Sequence, residues 1–192
     1  MTSDKFDSEK YILHYLSDLK ASIDSLSIDK IHELILVVKR TIESGNKIFM
    51  CGNGGSAANA SHSAGDWSKE MGAKTICLSD NIAAMTAWAN DSDYSDIFSS
   101  QINTYYEKGD ILMAYSGSGN SKNVLKAVQT FNQLGGITIG ITGNYNGLGG
   151  GRLANESKIS VVFDTESMER IEDLQLILNH IIKQKLKSLL SI

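Results

Sequence analysis

Apolar positions at the start of the chain recur at helical spacing. From Phe6 to Leu26 they fall at Tyr11, Ile12, Tyr15, Leu16, Leu19 and Ile23, and from Ile28 to Ser44 at Ile28, Ile31, Leu34, Ile35, Val38 and Ile42; both sets follow the i, i+3, i+4 pattern of an amphipathic helix. Ser27 reads as the N-cap of the second helix and Gly45 as its stop. Beyond Gly45 the rhythm changes. Short apolar runs at Lys47–Cys51, Lys74–Leu78, Ile111–Tyr115, Thr138–Thr142 and Ile159–Phe163 show little polar alternation, as in strands buried on both faces. Between them lie helical patterns at Ser56–Met71, Asn81–Asn90, Tyr94–Tyr106 and Ser121–Leu134, a weaker one near Leu148–Ala154, and a last one over Met168–Leu190. Strands alternating with helices predict right-handed crossovers, hence an α/β three-layer αβα sandwich around a five-stranded parallel sheet. No repeat or low-complexity linker interrupts the pattern, so one domain is expected over residues 1–192. Its two N-terminal helices would pack on the domain or on a partner subunit.

Composition narrows the class. The 192 residues include no proline and 17 glycines, so glycine alone punctuates the chain, and Pro-rich linkers or polyproline ligand segments are excluded. Hydrophobic residues at 42% and charged residues at 21% describe a soluble globular protein. The net charge is −4, and the densest basic stretch (Lys183, Lys185, Lys187) falls in the last helix. There it is expected to complement the helix dipole rather than form a nucleic-acid face. The N-terminus is polar and acidic, unlike a signal peptide, and no apolar run reaches membrane-spanning length. Cys51 and Cys77 sit within apolar runs and read as buried free thiols of a cytoplasmic protein.

The glycines concentrate where chemistry is expected. In open parallel sheets, ligands bind beyond the carboxyl ends of the strands. Two such ends are rich in Gly and Ser: Cys51-Gly52-Asn53-Gly54-Gly55-Ser56 and Tyr115-Ser116-Gly117-Ser118-Gly119-Asn120-Ser121. Each joins a strand to a helix, where glycine lets backbone approach a ligand, and hydroxyls and free N–H groups suit an anion. Good turn chemistry alone accounts for one such loop; two at strand-to-helix junctions point to a phosphate cradle without a lysine. Both loops partially match the dinucleotide fingerprint G-x-G-x-x-G, but Ala57 and Lys122 stand at its third glycine, and Gly140-Ile141-Thr142 offers no ribose-binding acid after the second loop. Ser79-Asp80 after the first loop keeps a dinucleotide reading open.

At these residues the chain resembles the SIS (sugar isomerase) phosphosugar-binding domains, and within them the sedoheptulose-7-phosphate, or phosphoheptose, isomerases. The matching stretches are CGNGGSAANASH (Cys51–His62), AND (Ala89–Asp91) with DIFS (Asp96–Ser99), GDILMAYSGSGNSKNVLKA (Gly109–Ala127) and RIEDLQLILNH (Arg170–His180). The resemblance implies a flavodoxin-like sheet and an aldose–ketose isomerase that makes a heptose 7-phosphate for lipopolysaccharide or capsule. It implies that Ser116, Ser118 and Ser121 hold the phosphate with Gly117 lending backbone, and that Asn53, Gly54 and Ser56 lie along the sugar, with Asp91 also facing the site. It further implies a zinc ion held by His62, Asp66, Glu172 and His180, with Asp66 and His180 as the acid–base pair, Glu172 also near substrate and Glu169 at an acidic position. The resemblance implies a cytoplasmic homotetramer with sites between subunits.

Isomerisation through an enediol needs a base at carbon and an acid at the carbonyl oxygen, with or without a metal. His62 and Asp66 are i and i+4, on one helix face. Two departures from the family stand out. Asp66 replaces a glutamate, withdrawing the carboxylate by roughly 1.3 Å, and Glu172 replaces a glutamine, adding negative charge. Glu172 and His180 also lie about 12 Å apart along a helix. A non-catalytic adaptor of the same fold, associating with a replication initiator, and a phosphosugar-sensing module are the alternatives; His62 and His180 favour the enzyme.

Overall fold

The computed structural model describes residues 2–191, with side chains from residue 7 onward. Met1, Ile192 and the side chains at 2–6, including that of Phe6, lie outside the described residues. Two helices, α1 (Thr2–Asp24) and α2 (Ile28–Glu43), precede five strands: β1 (Lys47–Cys51), β2 (Lys74–Cys77), β3 (Ile111–Tyr115), β4 (Ile137–Gly143) and β5 (Ile159–Phe163). All four strand pairings are parallel, in the order β2-β1-β3-β4-β5. This is the αβα sandwich that the alternation predicts and the flavodoxin-like sheet that the resemblance implies. Chain order reverses between β1 and β3, which places a ligand crevice at their carboxyl ends. The two glycine loops leave from these two strands.

The strands are apolar throughout because both sheet faces are covered. On one face, α2, α3 (Gly54–Met71) and α8 (Met168–Leu190) pack Leu34, Val38, Trp67, Leu174 and Leu178 against Ile48, Met50 and Met113. On the other, α5 (Ser99–Tyr105) and α6 (Lys122–Gln133) bury Ile102, Val124, Val128 and Phe131 against Phe49 and Leu112. Ser27 caps α2 by accepting the Lys30 N–H. Cys51 and Cys77 are free and buried. Trp67 is in the core, while Trp88 on α4 (Ile82–Asp91) is half exposed.

The helix expected over Tyr94–Tyr106 is a 3-10 turn at Tyr94–Asp96 followed by α5. The Asp93 carboxylate accepts the Ser95 N–H at 2.8 Å and caps a tight turn instead of a helix. The weak segment near Leu148–Ala154 resolves into a 3-10 turn (Tyr145–Gly147) and α7 (Gly151–Glu156). The first helix is held to the last: Tyr15 donates to Asp173 at 2.6 Å, and Arg170 pairs with Asp18 at 3.1 Å and lies over the Tyr15 ring. Its other side leaves Tyr11, Ile12, Leu13 and Leu16 exposed. No helix among the described residues is long and apolar enough to cross a membrane.

Candidate active site

Three helix N-termini converge at the crevice. A cavity of about 210 Å³ is lined by Asn53, Gly54 and Ser56 from the start of α3, Tyr115 to Ser118 and Ser121 from the β3–α6 loop, and Met168 and Glu172 from the start of α8. Helix starts carry partial positive charge and unpaired N–H groups. The N-cap residues of α3 and α6, Asn53 and Ser121, make no side-chain cap bonds; on α6 the Val124 N–H is taken by the Asn123 side chain, which leaves the Lys122 and Asn123 N–H groups, with those at the start of α3, to suit an anion. No lysine or arginine is among the lining residues; the groups there that suit an anion are hydroxyls, backbone N–H groups and helix dipoles.

The loop holding the serines is rigidly supported. Ser116 is buried, and its hydroxyl bonds Ser121 at 3.2 Å. Gly119 has φ of +65°, and a Cβ there would lie 1.8 Å from the Gly150 carbonyl oxygen. A third glycine-rich loop, with Gly143, Gly147, Gly149, Gly150 and Gly151 after β4, and the start of α7 pack against this loop: the Leu153 N–H donates to the Gly119 carbonyl at 2.9 Å and the Arg152 N–H to the Asn120 side chain at 3.2 Å. Asn53 is fixed by a reciprocal amide pair with Asn123 (2.8 and 2.9 Å) and by the Tyr94 hydroxyl at 3.1 Å. Sequence reading had singled out neither Asn123 nor Tyr94.

Further along α3 and α8 lies a second cluster. His62 Nε2 and His180 Nε2 are 3.3 Å apart, close enough for one imidazole to donate to the other, and His62 Nε2 is 3.6 Å from Asp66 Oδ2. One donor atom from each of His62, Asp66 and His180 lies within 4.8 Å of the others. Glu172, expected to complete a metal set, is not with them. Two helical turns separate it from His180, and its carboxylate stands against Gly55, where a Cβ would meet it at 2.3 Å. Burial there, reinforced by Glu169 and Asp173, raises its proton affinity. Asp91, expected to face the site, is exposed at the end of α4, bonded to the Asn90 amide at 2.7 Å, and is not among the residues lining the cavity. Glu169 accepts the Ser167 hydroxyl at 2.9 Å beside the α8 N-terminus.

Asp66 has a partner that sequence reading placed elsewhere. Lys183, expected to serve the helix dipole, is 6% exposed. It bonds Asp66 Oδ2 at 2.5 Å and Glu70 at 3.1 Å, while Lys187 bonds Glu70 at 2.7 Å. Position 183 follows Leu178, Asn179 and Ile182 on the buried stripe of α8, which turns the ammonium inward against α3. The bond to Lys183 holds the Asp66 carboxyl below the usual range, and the two lysines draw Glu70 down to about 2. Two imidazoles and a carboxylate match the donors of catalytic zinc sites. The surrounding charge does not: the one anionic donor is already neutralised by an ammonium on the same oxygen.

Known proteins agree with this architecture. The SIS domain family matches residues 12–143. A phosphoheptose isomerase of Helicobacter pylori (strain P12) is 33% identical over 91% of this chain and 91% of its own length. One from Aliarcobacter butzleri is 36% identical over 81% and 82%. The solved structure of a phosphoheptose isomerase from Francisella tularensis superposes with a TM-score of 0.84 at 25% identity, covering 98% of this chain and 99% of that one. By sequence over most of its length, and by a fold that sets a serine loop at the N-termini of α3 and α8 and imidazoles further along them, this chain belongs to the phosphoheptose isomerase family of SIS-domain proteins.

Proposed function

We infer that the protein interconverts sedoheptulose 7-phosphate and D-glycero-D-manno-heptose 7-phosphate by proton transfer between C1 and C2 through an enediol. One observation carries the reading: the N-termini of α3 and α8 line the anion cradle beside the β3–α6 serine loop, and the same two helices carry the imidazole pair further along, at a separation comparable with a heptose phosphate. Ser56 to His62 covers about 9 Å of α3, and Glu172 to His180 about 12 Å of α8. An extended seven-carbon chain covers about 8 Å from C1 to C7 at about 1.3 Å per bond. With the 7-phosphate on Ser116, Ser118, Ser121 and the helix N-termini, and the sugar along Asn53, Gly54 and Ser56, C1 and C2 reach the imidazoles.

His180 takes the C1 proton, exchanges it with solvent and delivers a proton to C2, while His62 protonates the C2 oxygen and later takes the proton from the C1 hydroxyl. The two C–H events leave the sugar's composition unchanged. Asp66, at the position of the family's base, is held by Lys183 and is the weaker base for it, so proton transfer falls to the imidazoles. Incubation with sedoheptulose 7-phosphate in D2O, followed by NMR, tests this. Aldose carrying deuterium at C2 is expected; bound phosphosugar with neither aldose nor deuterium overturns it.

The reading extends to a cytoplasmic homotetramer with sites between subunits, supplying heptose for lipopolysaccharide or capsule. Exposed Tyr11, Ile12, Leu13 and Leu16 on α1 support assembly, as does an apolar groove formed by Ile23, Leu26, Ile28, Ile35 and Ile181. Asp91 then serves a neighbouring subunit's cavity. Light scattering of the purified chain is expected to give four times its 20.9 kDa mass; a monomer mass excludes shared sites.

A further inference from the structure

Between α3 and α8 lies a compact set of four charges whose formal sum is zero: Asp66 and Glu70 against Lys183 and Lys187. Its central member, Lys183, has a side chain only 8% exposed, and its Nζ is held by both carboxylates. The Asp66 oxygen it takes is Oδ2, the same atom that faces His62 Nε2 at 3.6 Å. That oxygen is the one facing the imidazole pair, so a divalent ion between His62 and His180 would meet a carboxylate already held by an ammonium. We propose that Lys183 is the resident cation of this cluster and that it keeps His62, Asp66 and His180 from retaining a divalent metal.

The physical reasons are three. An ion and an ammonium on one carboxylate oxygen repel each other, and the repulsion is strong where water is scarce. Moving Asp66 onto an ion would leave the Lys183 ammonium with Glu70 alone, which Lys187 already shares, and a buried charge that loses its partner is costly. The short aspartate side chain also keeps the carboxylate close to α3, within reach of Lys183, rather than extending it toward the imidazoles. Lys183 thus supplies, as a tethered single charge, the electrostatic counterweight to Asp66 that the family resemblance assigns to zinc. Its consequence for turnover rests on the isomerase reading; its effect on ion affinity does not.

The test is a Co2+ titration followed by visible absorption, with Zn2+ in competition, on the full-length protein and on Lys183→Met, Lys183→Gln and the double variant His62→Ala/Lys183→Met. Both single lysine variants are expected to bind Co2+ at least about tenfold more tightly than the parent chain, and the double variant is expected to lose that gain. Equal affinity in parent and lysine variants, or weaker affinity in the variants, overturns the proposal. Should circular dichroism show that neither lysine variant folds, Glu70→Gln decides the matter in a chain that keeps Lys183. Freed from Glu70, Lys183 falls wholly to Asp66, and Co2+ binding is expected to weaken severalfold; unchanged binding overturns the proposal. Turnover of the parent chain is measured in parallel with and without EDTA. Equal rates are expected, and a rate abolished by EDTA and restored by Zn2+ counts against Lys183. Absence of turnover under every condition refutes the isomerase reading while the affinities still judge Lys183.

Discussion

The anion cradle and the imidazole cluster share α3 and α8, the cradle adding the β3–α6 loop, but are built by different means. Each of the cradle's three segments is local. Strand ends, Gly-Ser turns and helix N-termini lie next to one another in sequence, and the backbone supplies most of the binding groups. The cluster is assembled across the packing of α3 on α8: every contact that defines it joins residues more than a hundred positions apart, except the His62–Asp66 pair. Binding is thus written into turns and chemistry into a helix interface, so a substitution can damage one and spare the other.

The largest separation is expected from His180→Ala. Loss of a proton-transfer group lowers kcat by roughly 10²–10⁴ with little change in KM, measured by steady-state kinetics on sedoheptulose 7-phosphate. A change confined to KM would move His180 from chemistry to binding. The cradle is broken most severely at Gly119, where φ is +65° and an added Cβ would lie 1.8 Å from the Gly150 carbonyl oxygen. Gly119→Ala is expected to cost about 3 kcal/mol or more in urea unfolding. Gly54→Ala, with φ of +54° but open space around it, is expected to cost about 1–2 kcal/mol; equal costs would mean that the third glycine loop does not support the second. Ser116→Ala removes one hydroxyl of the proposed phosphate cradle and is expected to raise KM about tenfold while kcat holds, the mirror image of His180→Ala.

The smallest effect is a pH dependence at the helix interface. Glu70 is more acidic in the folded chain, at about 2, than its ordinary 4.5, so folding favours its ionised form. That contribution is complete above about pH 4.5 and disappears as pH falls toward 2. Thermal melts of the parent chain and Glu70→Gln are therefore expected to differ at pH 6 and to converge near pH 2. A constant gap would remove Glu70 from the network.

What could be read beforehand follows the same division. The five strands were legible because continuous apolar runs of that length have few other places to go, and the serines because strand-to-helix junctions have a known relation to ligands. The break after Asp96 was not, because the single bond from Ser95 N–H to the Asp93 side chain sets a 3-10 turn inside a helical pattern that looks continuous. Lys183 was read as a solvated end-of-helix charge; only the angular position of α8 against α3 shows that it points inward to Asp66. Glu172 was grouped with the histidines by resemblance, yet two turns of rigid helix hold it at the phosphate end.

The sequence by itself determined the element order, the parallel sheet, the two glycine loops and the pairing of His62 with Asp66, all of which depend on neighbours within a strand, a turn or a helical turn. The tertiary structure alone decided which of the candidate residues meet. It brought His180 to His62, sent Asp91 out to the surface, leaned the third glycine loop on the second and set a buried ammonium on Asp66. These outcomes depend on how two helices rotate against each other to bury their apolar stripes, a choice made by the whole core at once, which no local stretch of sequence encodes.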